Sequence, residues 1–359
     1  MQVIAVANQK GGCGKTTTAI NLAASLAHMD KMVLLIDLDP QGHASFGLGI
    51  DSHNREHTIF SILSDMGKCA DIKKAIINIR RGFNFIPSHV LLSTIEQEFR
   101  DKPHAVLKLR ESIEPLAQEY DYIVIDSPPS LGFLTFSALR ASDRVVIPLE
   151  TSCFSLAGLG KLLSMIELIK VKLNHTSIVS GLITLYDRRV RYSKIILDEI
   201  KKHFKNNLLD TIIRINISLR EAASFGKSVL DYNKYCAGAK DYLGLAKELI
   251  NDSKMRDLNK FYLDAETMIA RSKSVLVRFA LKSPEAQYVY VVGDFNNWSL
   301  DEANQLEHDG NGGWQKNFSL RPGRYRYKFV VDGQWIHDPD NPEREDNIFG
   351  SFDSVLKLE

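Results

Sequence analysis

A short stretch near the start of the chain combines glycines that can wrap around an anion with side chains that can bind one. It runs Lys10-Gly11-Gly12-Cys13-Gly14-Lys15-Thr16-Thr17. Glycines let the backbone curl tightly and turn its N–H groups inward. Lys15 can reach the β- and γ-phosphates of a nucleotide, and the Thr16 hydroxyl can bind Mg²⁺. The spacing predicts a phosphate-binding loop.

Such a loop has to be placed between a strand and a helix. Residues 3–7 form an apolar run short enough for a buried strand, and residues 19–29 show the periodicity of a helix. The helix N-terminus would add partial positive charge beside the phosphates. A chance glycine-rich turn is the alternative, and both flanking elements argue against it.

Three carboxylates follow apolar strand-like runs. Asp37 and Asp39 end the run at residues 32–36, and Asp126 ends the run at residues 122–125. Ligands of α/β sheets bind beyond the carboxyl ends of the strands, so all three are expected near the nucleotide. Asp126 has the Walker B pattern, in which a buried strand presents one carboxylate to Mg²⁺. Asp39 is placed to position the attacking water, although it could simply cap the turn that follows.

Lys10 occupies a position that holds glycine in the ordinary loop. The K-G-G-x-G-K-T-T form and the D-x-D-P-Q-G run at residues 37–42 resemble the deviant Walker A loop and switch I of the ParA/MinD ATPases. The resemblance covers about residues 1–250. It implies an α/β, parallel-sheet P-loop NTPase domain that uses ATP and Mg²⁺, forms a homodimer with ATP, and responds to an ATPase-stimulating protein partner.

The resemblance also implies roles for individual residues. Lys10 would cross the dimer interface to the partner's nucleotide, Lys15 would bind phosphates, and Asp39 would orient the water. Asp37 would support the Mg²⁺ shell completed by Thr16 and Asp126.

A basic region begins at Arg188, and residues 212–227 resemble the ParA segment that holds adenine and, in chromosomal members, carries DNA-contacting arginines. Asn216 matches the adenine position, whereas Ile215 and Ser218 stand where those members have arginines. Non-specific DNA binding requires clustered cations. The DNA candidates are Arg188, Arg189, Lys201, Lys202, Arg214 and Arg220. A solvated helix face is the alternative.

From residue 274 the chain changes to short alternating strands, which predict an all-β, immunoglobulin-like sandwich domain. The runs G-D-F-N-N-W and Y-K-F-V-V-D-G-Q-W resemble the family 48 carbohydrate-binding module, above all the glycogen-binding domain of AMP-activated protein kinase β subunits. This resemblance implies an α-glucan site formed by Trp298, Lys328, Trp335, Phe349, Ser351 and Asp353. Asp353 replaces the family's asparagine, so we expect Asp353→Asn to strengthen binding. A packing or protein-interaction module is the alternative.

Length and composition set the remaining expectations. The 359 residues, 44% apolar and 25% charged, predict a soluble chain of two or three domains. No apolar run approaches the roughly 18 residues of a membrane span, and four separated cysteines fit reduced thiols. We expect an ATPase domain at residues 1–250, a helical linker at 251–272 and a β-domain at 273–359, in a cytoplasmic, nucleoid-associated protein without a membrane partner.

Three functions are compatible with the sequence. The first is a partition or positioning ATPase that acts on nucleoid DNA and carries a glucan- or partner-binding module. The second is a glucan-associated regulatory ATPase that gates a metabolic enzyme. The third is a MinD-like positioning ATPase without DNA binding, which would need a C-terminal amphipathic helix where this chain has a β-domain.

Overall fold

The structure is a computed structural model that describes residues 1–64, 71–99, 102–151, 157–204, 207–252, 275–320, 323–347 and 351–358. The chain divides into two compact units, Met1–Glu266 and Thr267–Glu359. The predicted helical linker at residues 251–272 falls outside the described residues from position 253 onward. Among the described residues we find no helix with both the length and the apolar character that a bilayer-spanning segment requires.

The first unit is built on an eight-stranded sheet. Its strands are β1 Gln2–Val6, β2 Val33–Asp37, β3 Ile77–Arg80, β4 Phe83–Ile86, β5 Tyr122–Asp126, β6 Arg144–Glu150, β7 Ile178–Tyr186 and β8 Leu208–Arg214. They pair in the order β3-β4-β2-β5-β1-β6-β7-β8. Every neighbouring pair is parallel except β3 with β4. The parallel strands therefore end at one common edge, where a ligand site is expected.

Helices cover both faces of this sheet. They are α1 Lys15–His28, α2 His43–Gly47, α3 Ile59–Leu63, α4 Ile95–Glu98, α5 Lys108–Ile113, α6 Phe133–Ala141, α7 Ala157–Leu173, α8 Arg191–Phe204, α9 Ile217–Ser224, α10 Val229–Asn233 and α11 Ala237–Asn251. Successive residues of β1 alternate between two buried cores: Ile4 and Val6 in one, Val3 and Ala5 in the other. Burial on both faces explains why these strands appear in the sequence as continuous apolar runs.

The second unit consists of two antiparallel sheets. Its strands are β9 Val275–Lys282, β10 Val289–Gly293, β11 Glu307–His308, β12 Gly313–Leu320, β13 Gly323–Val331, β14 Gln334–Ile336, β15 Arg344–Asp346 and β16 Phe352–Leu358. One sheet has the order β10-β13-β16-β15 with β14 paired to β13, and the other has the order β11-β12-β9. Phe279, Trp314 and Phe329 belong to its apolar core. The predicted fold class, a parallel P-loop domain followed by a β-sandwich, is confirmed.

Candidate functional site

The glycine-rich loop lies between the carboxyl end of β1 and the N-terminus of α1. Gly12 and Gly14 have φ angles of 76° and 88°, which strongly favour glycine. Because α1 begins at Lys15, the unpaired N–H groups of its first turn and its positive dipole end lie at the loop. Gly11, Gly12, Gly14 and Lys15 to Thr17 line a cavity of about 570 Å³. Burial raises the pKa of the Cys13 thiol, which donates to the Lys10 carbonyl at 3.2 Å.

The two loop lysines have different partners. Lys15 is 7% exposed, and its Nζ donates to the carbonyl oxygen of Lys10 at 2.9 Å. Lys10 Nζ instead forms a salt bridge with Glu150 at the end of β6. Glu150 could not be predicted as the partner of Lys10, because the two residues are 140 positions apart in the chain. Thr184 of β7 further holds the loop by donating to the Cys13 carbonyl at 2.8 Å.

Asp37 and Asp126 lie side by side on β2 and β5, and both are fully buried. Asp37 accepts from the Ser45 N–H and hydroxyl, each at 2.9 Å, and burial raises its pKa to about 6. Neither oxygen of Asp126 has a hydrogen-bond partner among the described residues. Burial, followed by the charge of Asp37, raises the pKa of Asp126 well above the usual carboxyl range. A divalent cation would compensate both carboxylates, so Asp37, Asp126 and the Thr16 hydroxyl fit Mg²⁺, which would supply positive charge beside bound phosphates.

Asp39 lines the same cavity and is 4% exposed. Its Oδ1 accepts from the Gln41 N–H at 3.0 Å, and its Oδ2 lies 3.7 Å from His43 Nδ1. Ser88 fixes the backbone by donating to the Asp39 carbonyl. One carboxylate oxygen therefore caps the turn, and the residue lies at the cavity that the glycine-rich loop lines.

Asn216 lines the cavity and is the N-cap of α9. Its Oδ1 accepts from the Ser218 N–H at 2.9 Å. The helix cap thus uses one of the two acceptor sites of the amide oxygen. Ile213 and Leu219 add apolar surface to the lining of the cavity.

The predicted DNA residues do not form one uniform surface. Arg188, Lys201 and Arg220 are exposed, and Arg220 also lines the nucleotide cavity. Arg189 is exposed but pairs with Asp187 at 2.7 Å. Arg214 binds Asp241 of α11 through both Nε and Nη2, which argues against its predicted contact with DNA. Lys202 lies in α8, but its side chain is outside the described part of the chain.

In the second unit, the aromatic rings predicted to bind sugar lie together. The Trp298 and Trp335 ring centroids are 6.4 Å apart with an angle of 23° between their planes. Trp335 is 47% exposed, so it belongs to the surface. Such flat apolar faces suit the C–H face of a sugar ring.

A buried polar network accompanies these rings. Lys328 Nζ donates to the Ser351 hydroxyl at 2.7 Å and lies 3.6 Å from Asp353 Oδ1. Asn347, which the sequence did not single out, donates to Asp353 at 2.7 Å and to the Ser351 hydroxyl at 2.9 Å. Lys328 and Asp353 are thus a charge pair. Phe349 lies outside the described residues.

Two protein-family models match the chain: one described as an AAA domain at residues 1–179, and one described as the glycogen recognition site of AMP-activated protein kinase at residues 276–358. The chain is 42% identical to the sporulation initiation inhibitor protein Soj of Bacillus subtilis, over 69% of this chain and 98% of Soj. It is 40% identical to the chromosome partitioning protein ParA of Caulobacter vibrioides, over 71% of this chain and 96% of that protein. The chain belongs to the ParA/Soj family of partition ATPases.

A solved structure with a bound nucleotide shares the fold of the first unit. Cobyrinic acid a,c-diamide synthase from Mycobacterium smegmatis, with bound ADP and magnesium, is 30% identical with a TM-score of 0.59, over 70% of this chain and 94% of that one. This ParA/Soj-family member is therefore an ATPase that uses ATP and Mg²⁺. Its second unit is a carbohydrate-binding module of the glycogen-recognition type.

Proposed function

We propose that this ATPase is a positioning switch. Two copies close around ATP, the ATP-bound dimer holds nucleoid DNA without sequence preference, and hydrolysis releases it. A stimulating protein partner times the hydrolysis. The module in the second unit attaches an α-glucan or a glucan-bearing cargo.

The placement of Lys10 is the observation that supports a switch by ATP-dependent dimerisation. Lys15 already supplies a cation inside the nucleotide cavity, whereas the Lys10 ammonium is paired with Glu150 and its side chain is 26% exposed. A second loop lysine that is directed to Glu150 has no role toward its own nucleotide in this arrangement. By exchanging Glu150 for a phosphate, it could reach the nucleotide of a second copy.

Lys10→Ala is expected to retain ATP binding, because the Lys15 and backbone contacts remain, and to lose ATP-dependent dimerisation. Light scattering coupled to size-exclusion chromatography, with and without ATP, measures this directly. Lys172→Ala, which removes an exposed lysine of α7, is the matched control and should dimerise like the wild type. A Lys10→Ala chain that dimerises and hydrolyses ATP normally would refute the cross-interface role.

Support for DNA as the surface comes from the exposed cations that follow β7. DNA retardation should require ATP and should weaken steeply with salt, because bound cations displace counterions from the phosphates. Charge reversal at Arg188 and Lys201 together should weaken DNA binding at least about tenfold. Arg220 is left unchanged, since it lines the nucleotide cavity.

The corresponding control is charge reversal at Lys161 and Lys172 together, two exposed lysines of α7, because it makes the same change in net charge. Wild-type protein that fails to retard DNA at low salt with ATP would exclude the nucleoid. The alternative function, a glucan-associated regulatory ATPase, would then be favoured. The 49% exposure of Ile215, at a position where DNA-binding members carry arginine, supports this alternative.

Support for glucan binding comes from the exposure of Trp335. Because the ring is not core, Trp335→Ala should abolish maltoheptaose binding while changing the stability of the module by less than about 1 kcal/mol. Titration of the full chain, followed by tryptophan fluorescence and calorimetry, tests this. Leu276→Ala, at an exposed position of β9 on the other sheet, should leave binding unchanged. No response of the wild type at millimolar sugar would leave the module a protein-interaction domain.

A further inference from the structure

Trp298 is held in a backbone conformation that bulky residues rarely adopt. Its φ is 60°, and that of Asn297 before it is 54°. Left-handed conformations of non-glycine residues cost energy and persist only where the surroundings fix them, often at ligand sites. Here Trp298 N–H donates to the Gly293 carbonyl at 3.0 Å. The Asn296 side chain closes the same turn through the Gly293 N–H and the Val291 carbonyl.

The indole of Trp298 is fixed separately by Asp294. Asp294 Oδ1 accepts from Trp298 Nε1 at 3.1 Å, and its Oδ2 accepts from the Arg326 backbone N–H of β13 at 2.8 Å. The Arg326 guanidinium adds a contact at 3.4 Å. One carboxylate thus ties the ring on the loop after β10 to β13. The pairing of Val330 with Trp335 ties β13 in turn to the strand that carries the other ring.

We propose that Asp294 is a positioning residue of the glucan site, which sets the Trp298 ring beside Trp335 before any sugar arrives. This inference rests on the proposed glucan-binding role of the module. Without the Asp294 acceptor, the indole loses its hydrogen bond to the residue that is tied to β13, and the strained turn can relax. A ring that has to be ordered during binding costs affinity, between about threefold and tenfold for one side chain.

The three tryptophans of the chain make the test direct. Trp314 Nε1 donates to the Ser283 carbonyl at 3.0 Å in the core and is an internal reference, while Trp335 and Trp298 form the platform. Full-length protein labelled with ¹⁵N-tryptophan gives one indole N–H signal for each ring. In Asp294→Ala the Trp298 signal should shift and exchange faster with solvent, the Trp314 signal should stay, and maltoheptaose should bind about threefold to tenfold more weakly.

Two further variants separate positioning from charge. Asp294→Asn keeps an oxygen acceptor for the indole and should restore both the Trp298 signal and the affinity. Arg326→Ala keeps the acceptor while removing the guanidinium, and it should bind within about twofold of the wild type. Weakened binding in Arg326→Ala with an unchanged Trp298 signal would show that charge acts instead, and would overturn the inference.

Maltoheptaose binding by the wild type and by Asp294→Ala distinguishes the role of Asp294 from the glucan-binding role of the module. If the wild type binds maltoheptaose and Asp294→Ala binds it as tightly with an unmoved Trp298 signal, the role of Asp294 is wrong and the glucan site stands. If the wild type itself does not bind, the glucan role falls, and this role of Asp294 falls with it. Should Asp294→Ala unfold the module, seen as movement of the Trp314 signal, Trp298→Phe replaces it. That variant keeps a ring without the N–H donor, and wild-type affinity in it would overturn the inference.

Discussion

Asp39→Ala is expected to lower ATP turnover by at least about 100-fold while leaving ATP binding intact, because the group that positions water is lost and the phosphate contacts of the loop remain. The ATP-bound dimer should accumulate as a consequence. Phosphate release under saturating ATP and light scattering of the same samples measure the two effects.

Asp39→Asn distinguishes catalysis from turn capping. The amide oxygen of asparagine can still accept from the Gln41 N–H, as Asp39 Oδ1 does at 3.0 Å, but it carries no negative charge. If Asp39 acts on water, ATP turnover by the Asp39→Asn variant should be nearly as slow as that of the Asp39→Ala variant. Turnover at the wild-type level in Asp39→Asn would show that Asp39 serves only the turn.

The positions of the residues around the glycine-rich loop could be predicted because each lies in a local pattern, either the loop itself or the end of a strand that is buried on both faces. The spacing of Lys15 and Thr16, and the positions of Asp37 and Asp126 after apolar runs, depend on local geometry alone. Helix α1 nevertheless begins at Lys15 rather than at residue 19. Its first three residues are polar and line the cavity, so the apolar periodicity starts one turn late.

The features that could not be predicted from the sequence depend mostly on tertiary contacts. Glu150 and Lys10 meet only because β6 lies beside β1. Arg214 looked like a DNA contact, but α11 brings Asp241 to it from 27 positions away. Strand β3 escaped prediction because it is an edge strand with one exposed and three partly buried residues, which gives a weak apolar pattern.

Asp353→Asn should destabilise the second unit by about 3–5 kcal/mol, the cost of leaving one member of a buried ion pair without its partner. The sequence alone favoured a gain in glucan affinity from the restored amide. The structure changes this expectation because the Lys328 and Asp353 side chains are only 8% and 7% exposed. Asparagine could still contact Asn347, but it would leave the Lys328 ammonium without a compensating charge.

Tryptophan fluorescence during urea unfolding of the full chain measures this effect selectively, since all three tryptophans lie in the second unit. The midpoint of Asp353→Asn should fall clearly below that of the wild type. Lys328→Met in the same chain should recover much of the loss, because an apolar side chain of similar length removes the uncompensated charge. If the Asp353→Asn variant is instead as stable as the wild type and binds maltoheptaose more tightly, Lys328 does not need the charge of Asp353. Asp353 would then weaken a glucan site in which an asparagine amide binds better.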